Sequence, residues 1–238
     1  MVAKILFIEE KRRKGEKGKK EKGRKGEKTL NKKMYFCNHY KKNIMSRISQ
    51  AIKESIRVKE SILADSNLMN RIAESVTIII TSLQNGGKIH FCGNGGSAAD
   101  AQHLATELSG RFYFDRPPLN GEALHCNTSF LTAIGNDYGF DLVYARLLKG
   151  TGKKGDVVIA ISTSGNSPNI LNACEEAKKM GITTIGMTGE SGGRMKEQVD
   201  ILLNMPSTDT PRIQEAHIMV GHIICELVEG GMFGETEN

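Results

Sequence analysis

The sequence predicts an α/β fold: a three-layer sandwich, doubly wound around a five-stranded parallel sheet, with extra helices on its N-terminal side. Three observations carry this. Short apolar runs recur from residue 88 onward, separated by amphipathic stretches of helical period. Short strands alternating with helices build βαβ units, which need parallel strands covered on both faces. Two of the runs lead into loops of Gly, Asn and Ser, at the strand ends where such sheets hold ligands.

The elements follow in order. Residues 1–45 carry 16 Lys and Arg against 5 Asp and Glu, although the whole chain is only +6, so the remainder is mildly acidic. Residues 9–33 are almost all Lys, Glu, Gly and Arg and have little to bury. Residues 1–45 are therefore expected to be a disordered basic tail, or upstream sequence read from an early start, with Met34 and Met45 as alternative starts. Residues 46–238 form the expected domain. Ile48, Ile52 and Ile56 recur every four residues and, with Ile62 and Leu63, give a first helix. Ile72, Val76, Ile79, Ile80 and Leu83 give a second over about 68–83, stopped by Asn85-Gly86-Gly87. Neither helix has a strand partner, and subunit contacts are the expected use of them.

Strands are then expected at 88–92, 122–126, 156–161, 183–187 and 200–204. Helices are expected at 97–108, 170–180 and 212–228. Right-handed crossovers make this a doubly wound sheet. The five cysteines contain no CxxC pair and read as reduced thiols, which suggests the cytoplasm. No apolar run reaches the roughly 18 residues of a membrane span, and residues 1–8 are too short for a signal h-region. The basic charge belongs to the tail, so no nucleic-acid or membrane partner is expected for the folded domain.

The first strand runs into Gly93-Asn94-Gly95-Gly96-Ser97 at a helix start, where free N–H groups offer an anion site. The spacing is neither GxGxxG nor GxxxxGK[ST], so neither a dinucleotide nor a nucleoside triphosphate is indicated. The third strand runs into Ser162-Thr163-Ser164-Gly165-Asn166-Ser167, with Pro168 in the first helical turn. Four hydroxyls at the positive end of a helix suit a phosphate monoester without any lysine. Two such loops after two parallel strands point to a phosphorylated small molecule. Polar groups that could move a proton lie on two helices. His103 and Glu107, four apart on one face, are flanked by Asp100 and Gln102, and the closing helix carries Gln214, Glu215, His217, His222 and Glu226. Gln214 and His222 are about 80° apart around the helix, and His217 is about 140° from His222. Spacing alone does not choose among them. His90, His125 and His217 read as hydrogen-bonded structural residues, and Arg111 and Arg116 as salt-bridge partners.

GNGGSAADAQHLATELSGRF, IGND, ISTSGNSPN, TGESGG and TPRIQEAHIMVGHIICELVE resemble the sugar isomerase (SIS) family. Within it they resemble the bacterial phosphoheptose isomerases, from about residue 46 to 233. STSGNS is common to the family, whereas the HxxxE after GNGGS, with RIQE and a downstream His, is more specific. The resemblance implies a flavodoxin-like SIS fold that isomerises D-sedoheptulose 7-phosphate to D-glycero-D-manno-heptose 7-phosphate, the first step toward ADP- or GDP-heptose. It implies Glu107 and His222 as the acid–base pair, and zinc among His103, Glu107, Gln214 and His222. It implies substrate contacts from Asn94, Gly95, Gly96, Glu107, Asn136, Asp137, Ser162, Thr163, Ser164, Ser167 and Gln214. It implies a cytoplasmic homotetramer with sites at subunit boundaries. One departure is Pro211, where the family often has Asp before RIQE. The alternative is a non-catalytic SIS protein that binds sugar phosphate as a scaffold or regulator, of the type that associates with a replication initiator. Such relatives lose the counterparts of Glu107 and His222, which this chain keeps. A SIS enzyme of another reaction, such as an etherase, would have a different closing helix.

Overall fold

The computed structural model describes residue 40 and residues 43–234. Of the expected tail, residues 1–39 and 41–42 lie outside the described residues, while residue 40 and residues 43–45 are helical. The chain divides into a unit ending at Lys53 and a unit from Glu54 to Asn238. In the first, the described residues are helical, with Ile44, Met45, Ile48 and Ile52 exposed. They belong to helix α1, which covers 43–64.

The second unit carries the sheet. Helix α2 (Ser66–Gln84) starts where the Asp65 carboxylate accepts the Leu68 N–H, satisfying a first-turn donor. Then follow β1 (Ile89–Gly93), α3 (Gly96–Ser109), β2 (Gly121–Ala123), α4 (Thr128–Asp137), α5 (Val143–Thr151), β3 (Val157–Ile161), α6 (Pro168–Met180), β4 (Thr183–Thr188), β5 (Ile201–Asn204) and α7 (Thr210–Phe233). Single 3-10 turns precede α5 (Phe140–Leu142) and β5 (Gly193–Glu197). All five strands expected from sequence are present, but β2 lies earlier and is shorter than 122–126. The Cys126 N–H turns back to the Ala123 carbonyl, and Asn127 then caps α4, so the chain has left the sheet. Helices α4 and α5 were not expected.

The strands are all parallel, in the order β2-β1-β3-β4-β5. The winding direction reverses where β1 meets β3, so the loops after these two strands part to opposite faces and open a crevice. Two apolar cores result. On one face α3, α7 and α2 pack with Val58 and Ile62 of α1; on the other lie α4, α5 and α6. Strands β1 and β3 are buried throughout, as parallel strands between two helical layers must be. Among the described residues, α7 alone is long and apolar enough to cross a membrane; here it is a packing helix of the first core.

Candidate active site

The two polar loops emerge side by side, because Gly93 of β1 is in register with Ile161 of β3. Helix α6 begins at Pro168 with Ser167 as its N-cap. The Ser167 hydroxyl makes no capping bond and instead lies 3.1 Å from the Ser162 hydroxyl. Gly165 has φ +64°, and a Cβ there would fall 2.1 Å from the Gly192 carbonyl oxygen. The loop is thus braced by the turn after β4, where Arg194 N–H donates to Asn166 Oδ1 and Met195 N–H to the Gly165 carbonyl. Beside it lies a cleft of about 280 Å³, lined by Thr163, Ser164, Ser191, Ser207 and Thr208 among others. Hydroxyls and the N-terminus of α6 thus meet at this cleft, whose lining includes Glu190 and no lysine.

A second constellation lies on α3 and α7. The His103 and Glu107 side chains meet at 3.0 Å between Nε2 and Oε1, as residues four apart on a helix can. His222 of α7 brings its Nε2 to 3.2 Å from that of His103. The helices approach this closely because Gly221 packs on Leu104; a Cβ at 221 would lie 2.5 Å from Leu104 Cδ1. The Phe112 ring stands 5.7 Å from the His222 ring and walls it on one side. Below, Arg116 and Glu229 form a fully buried ion pair at 2.8 Å. Arg116 also donates to the carbonyls of Glu107 and Leu108, closing the end of α3. Glu229 accepts from the backbone N–H of Tyr113 and Phe112. Burial alone would push the Glu229 carboxyl up; these donors and Arg116 outweigh it and hold the group below the ordinary carboxylate range.

One ligand atom from each of His103, Glu107 and His222 falls within 4.8 Å of the others. Two imidazoles and a carboxylate suit a borderline divalent cation such as zinc. The donor set therefore fits the expected metal.

A SIS domain family model matches residues 52–189. The phosphoheptose isomerase of Sulfurimonas denitrificans is 51% identical over 191 residues, 80% of this chain and 98% of that protein. Phosphoheptose isomerase 2 of Campylobacter jejuni is 53% identical over 193 residues, 81% of this chain and 96% of its own. The structure of the phosphoheptose isomerase from Neisseria gonorrhoeae matches with a TM-score of 0.74 and 40% identity, covering 79% of this chain and 99% of that one. The chain belongs to the phosphoheptose isomerase family.

Against that membership the residues expected from sequence divide into groups. His103, Glu107 and His222 are brought together. Ser162, Thr163, Ser164 and Ser167 line the second loop, and Gly95 and Gly96 open α3. Gln214 is half-buried, with its amide against Gly96, about two helical turns from His222 along α7. Asn94 commits its carboxamide to Asn169 in both directions, at 2.8 and 2.9 Å. Asn136 and Asp137 are exposed at the end of α4, on the other face of the sheet from α3 and α7, and hydrogen-bond to each other. Among the described residues, no hydrogen bond links them to the triad. The structural readings of His90 and His217 hold. His90 is buried against Asp156, and His217 donates from Nε2 to the Thr188 carbonyl. Arg116 is a salt-bridge residue as expected; Arg111 is exposed. Sequence reasoning missed Phe112, Asn169 and Glu229. An acid between Val228 and Gly230 in an apolar helix was the available signal for Glu229.

Proposed function

We propose that the chain interconverts D-sedoheptulose 7-phosphate and D-glycero-D-manno-heptose 7-phosphate. The observation that carries this is the convergence of Glu107 and His222 from separate helices, in a family whose named members are isomerases of this kind. The phosphate binds at the N-terminus of α6 among Ser162, Thr163, Ser164 and Ser167, and Gly95, Gly96 and Gln214 hold the sugar. Glu107 removes a proton from C1 of the ketose, next to the C2 carbonyl. His222 supplies a proton to O2, giving a cis-enediol. The same pair then returns the first proton to C2 and takes the O1 proton, leaving the C1 aldehyde. Zinc held by His103, Glu107 and His222 would act as a Lewis acid on the substrate oxygens, and the expected ligand Gln214, two turns from His222 on the same helix, would join them from a second copy. Asn136 and Asp137 enter a site completed by a second copy of the chain, as expected of a homotetramer working in the cytoplasm. The non-catalytic alternative is not favoured, since the acid–base pair is intact.

The test is turnover of sedoheptulose 7-phosphate by the purified chain, with and without a chelator. Glu107→Gln should lower kcat by about 10²- to 10⁴-fold while sugar-phosphate binding persists. Undiminished turnover in that variant removes Glu107 from its role, and an inactive parent overturns the isomerase reading. Activity that survives complete metal removal excludes the zinc.

A further inference from the structure

We infer that Asn169 is a positioning residue that sets the spacing of the two substrate loops; this rests on the isomerase reading above. Asn169 is the second residue of α6, directly behind the phosphate cradle, and is 2% exposed. Its Nδ2 donates to Asn94 Oδ1 at 2.9 Å, and its Oδ1 accepts from Asn94 Nδ2 at 2.8 Å. The two carboxamides thus pair head to tail across the crevice, one from the loop after β1 and one from the helix after β3. The buried Tyr144 of α5 secures the first loop from below, donating to the Gly93 carbonyl at 2.6 Å with its oxygen 3.5 Å from Asn94 Oδ1. Near neutral pH a carboxamide is the side chain of this length that both donates and accepts in this planar arrangement, since a carboxylate only accepts.

Two consequences follow. The Asn94 side chain is occupied, so the first loop meets the substrate through its Gly95-Gly96 backbone. The phosphate cradle on α6 and the start of α3 are fixed to each other by the amide pair, at the point where the sheet's winding reverses and no ladder bond joins the loops. Loss of the pair therefore loosens the grip on the substrate before it touches Glu107, about three turns further down α3.

Asn169→Asp is nearly isosteric but acceptor-only when ionised, and it sets a carboxylate oxygen against Asn94 Oδ1. At pH 7.5 it should raise the KM for sedoheptulose 7-phosphate on the order of tenfold, with a smaller effect on kcat. Burial of position 169 beside the Asn94 oxygen pushes the introduced carboxyl up, so lowering the pH toward 5 protonates it and restores a donor, and KM should return toward the parent's value at each pH. Tyr144 stays protonated throughout, because burial pushes its phenol up. Asn169→Leu should lose binding with no recovery at low pH. Calorimetric titration with sedoheptulose 7-phosphate and with inorganic phosphate gives the same comparison without turnover. A parent that binds these ligands but does not isomerise would sink the isomerase reading alone, and the affinities would still decide the role of Asn169. The inference is overturned if N169D matches the parent at pH 7.5, if its loss is the same at both pH values, if only kcat falls, or if the parent binds neither ligand.

Discussion

His217 and His222 are five residues apart on one helix and live in different solvents. His217 is buried, and desolvation pushes its imidazole from the ordinary 6.5 down to about 4, with the bond to the Thr188 carbonyl opposing only in part. His90 is lowered in the same direction, again by burial, with Asp156 pulling the other way. A lowered folded pKa means that the unfolded chain binds more protons between the two values. Stability is then complete above about pH 6.5 and falls as pH drops toward 4. His217 alone accounts for a loss of about 3 kcal/mol over that window. Urea midpoints between pH 7 and pH 4.5 should show it, and His217→Gln should flatten the curve; an unchanged slope in that variant removes His217 as the cause. At this scale the sequence was legible where chemistry comes as a spaced pair, as with His103 and Glu107. It was not legible for Asn169, because a carboxamide after a proline looks like any first-turn residue until its partner 75 positions away is known.

Helices α3 and α7 behave as one unit, joined through Gly221 on Leu104 above and by Arg116 and Glu229 below. Glu229→Gln strands a guanidinium at 2% exposure and should cost about 3–5 kcal/mol of stability. It also frees the loop that carries Phe112, so thermal unfolding and kcat should fall together. A melting temperature within a degree of the parent's would contradict the account of this pair. The long periodic helices and the apolar strands were readable because their burial is continuous over several turns or residues. Helices α4 and α5 were missed because ten and nine residues give too few repeats of the period. Strand β2 was misplaced because Leu124 continues its apolar run and still donates to the Phe91 carbonyl, just before the chain turns away at Cys126.

For the whole molecule, the parallel, doubly wound sheet was implicit in the alternation of elements, while the separation of the site into parts was not. Helix α1 shows Ile44, Ile48 and Ile52 to solvent at four-residue spacing, each 41–55% exposed. A stripe of that kind is best covered by another copy. Light scattering should return a multiple of the single-chain mass, and Ile48→Glu with Ile52→Glu should lower it; a parent of one chain's mass would end the tetramer proposal. The sheet itself works as a partition. The proposed anion cradle belongs to the helical layer on one side, the proposed proton-moving side chains to the layer on the other, and each layer has its own core. The proton-moving side chains also lie about three turns down α3, near the start of β2, so a sugar phosphate held by its handle in one layer would meet the working layer of a second copy. Edits to the working layer could then change the chemistry while the handle-holder stays as it is, so a single scaffold can host different reactions on molecules that share nothing but a phosphate end.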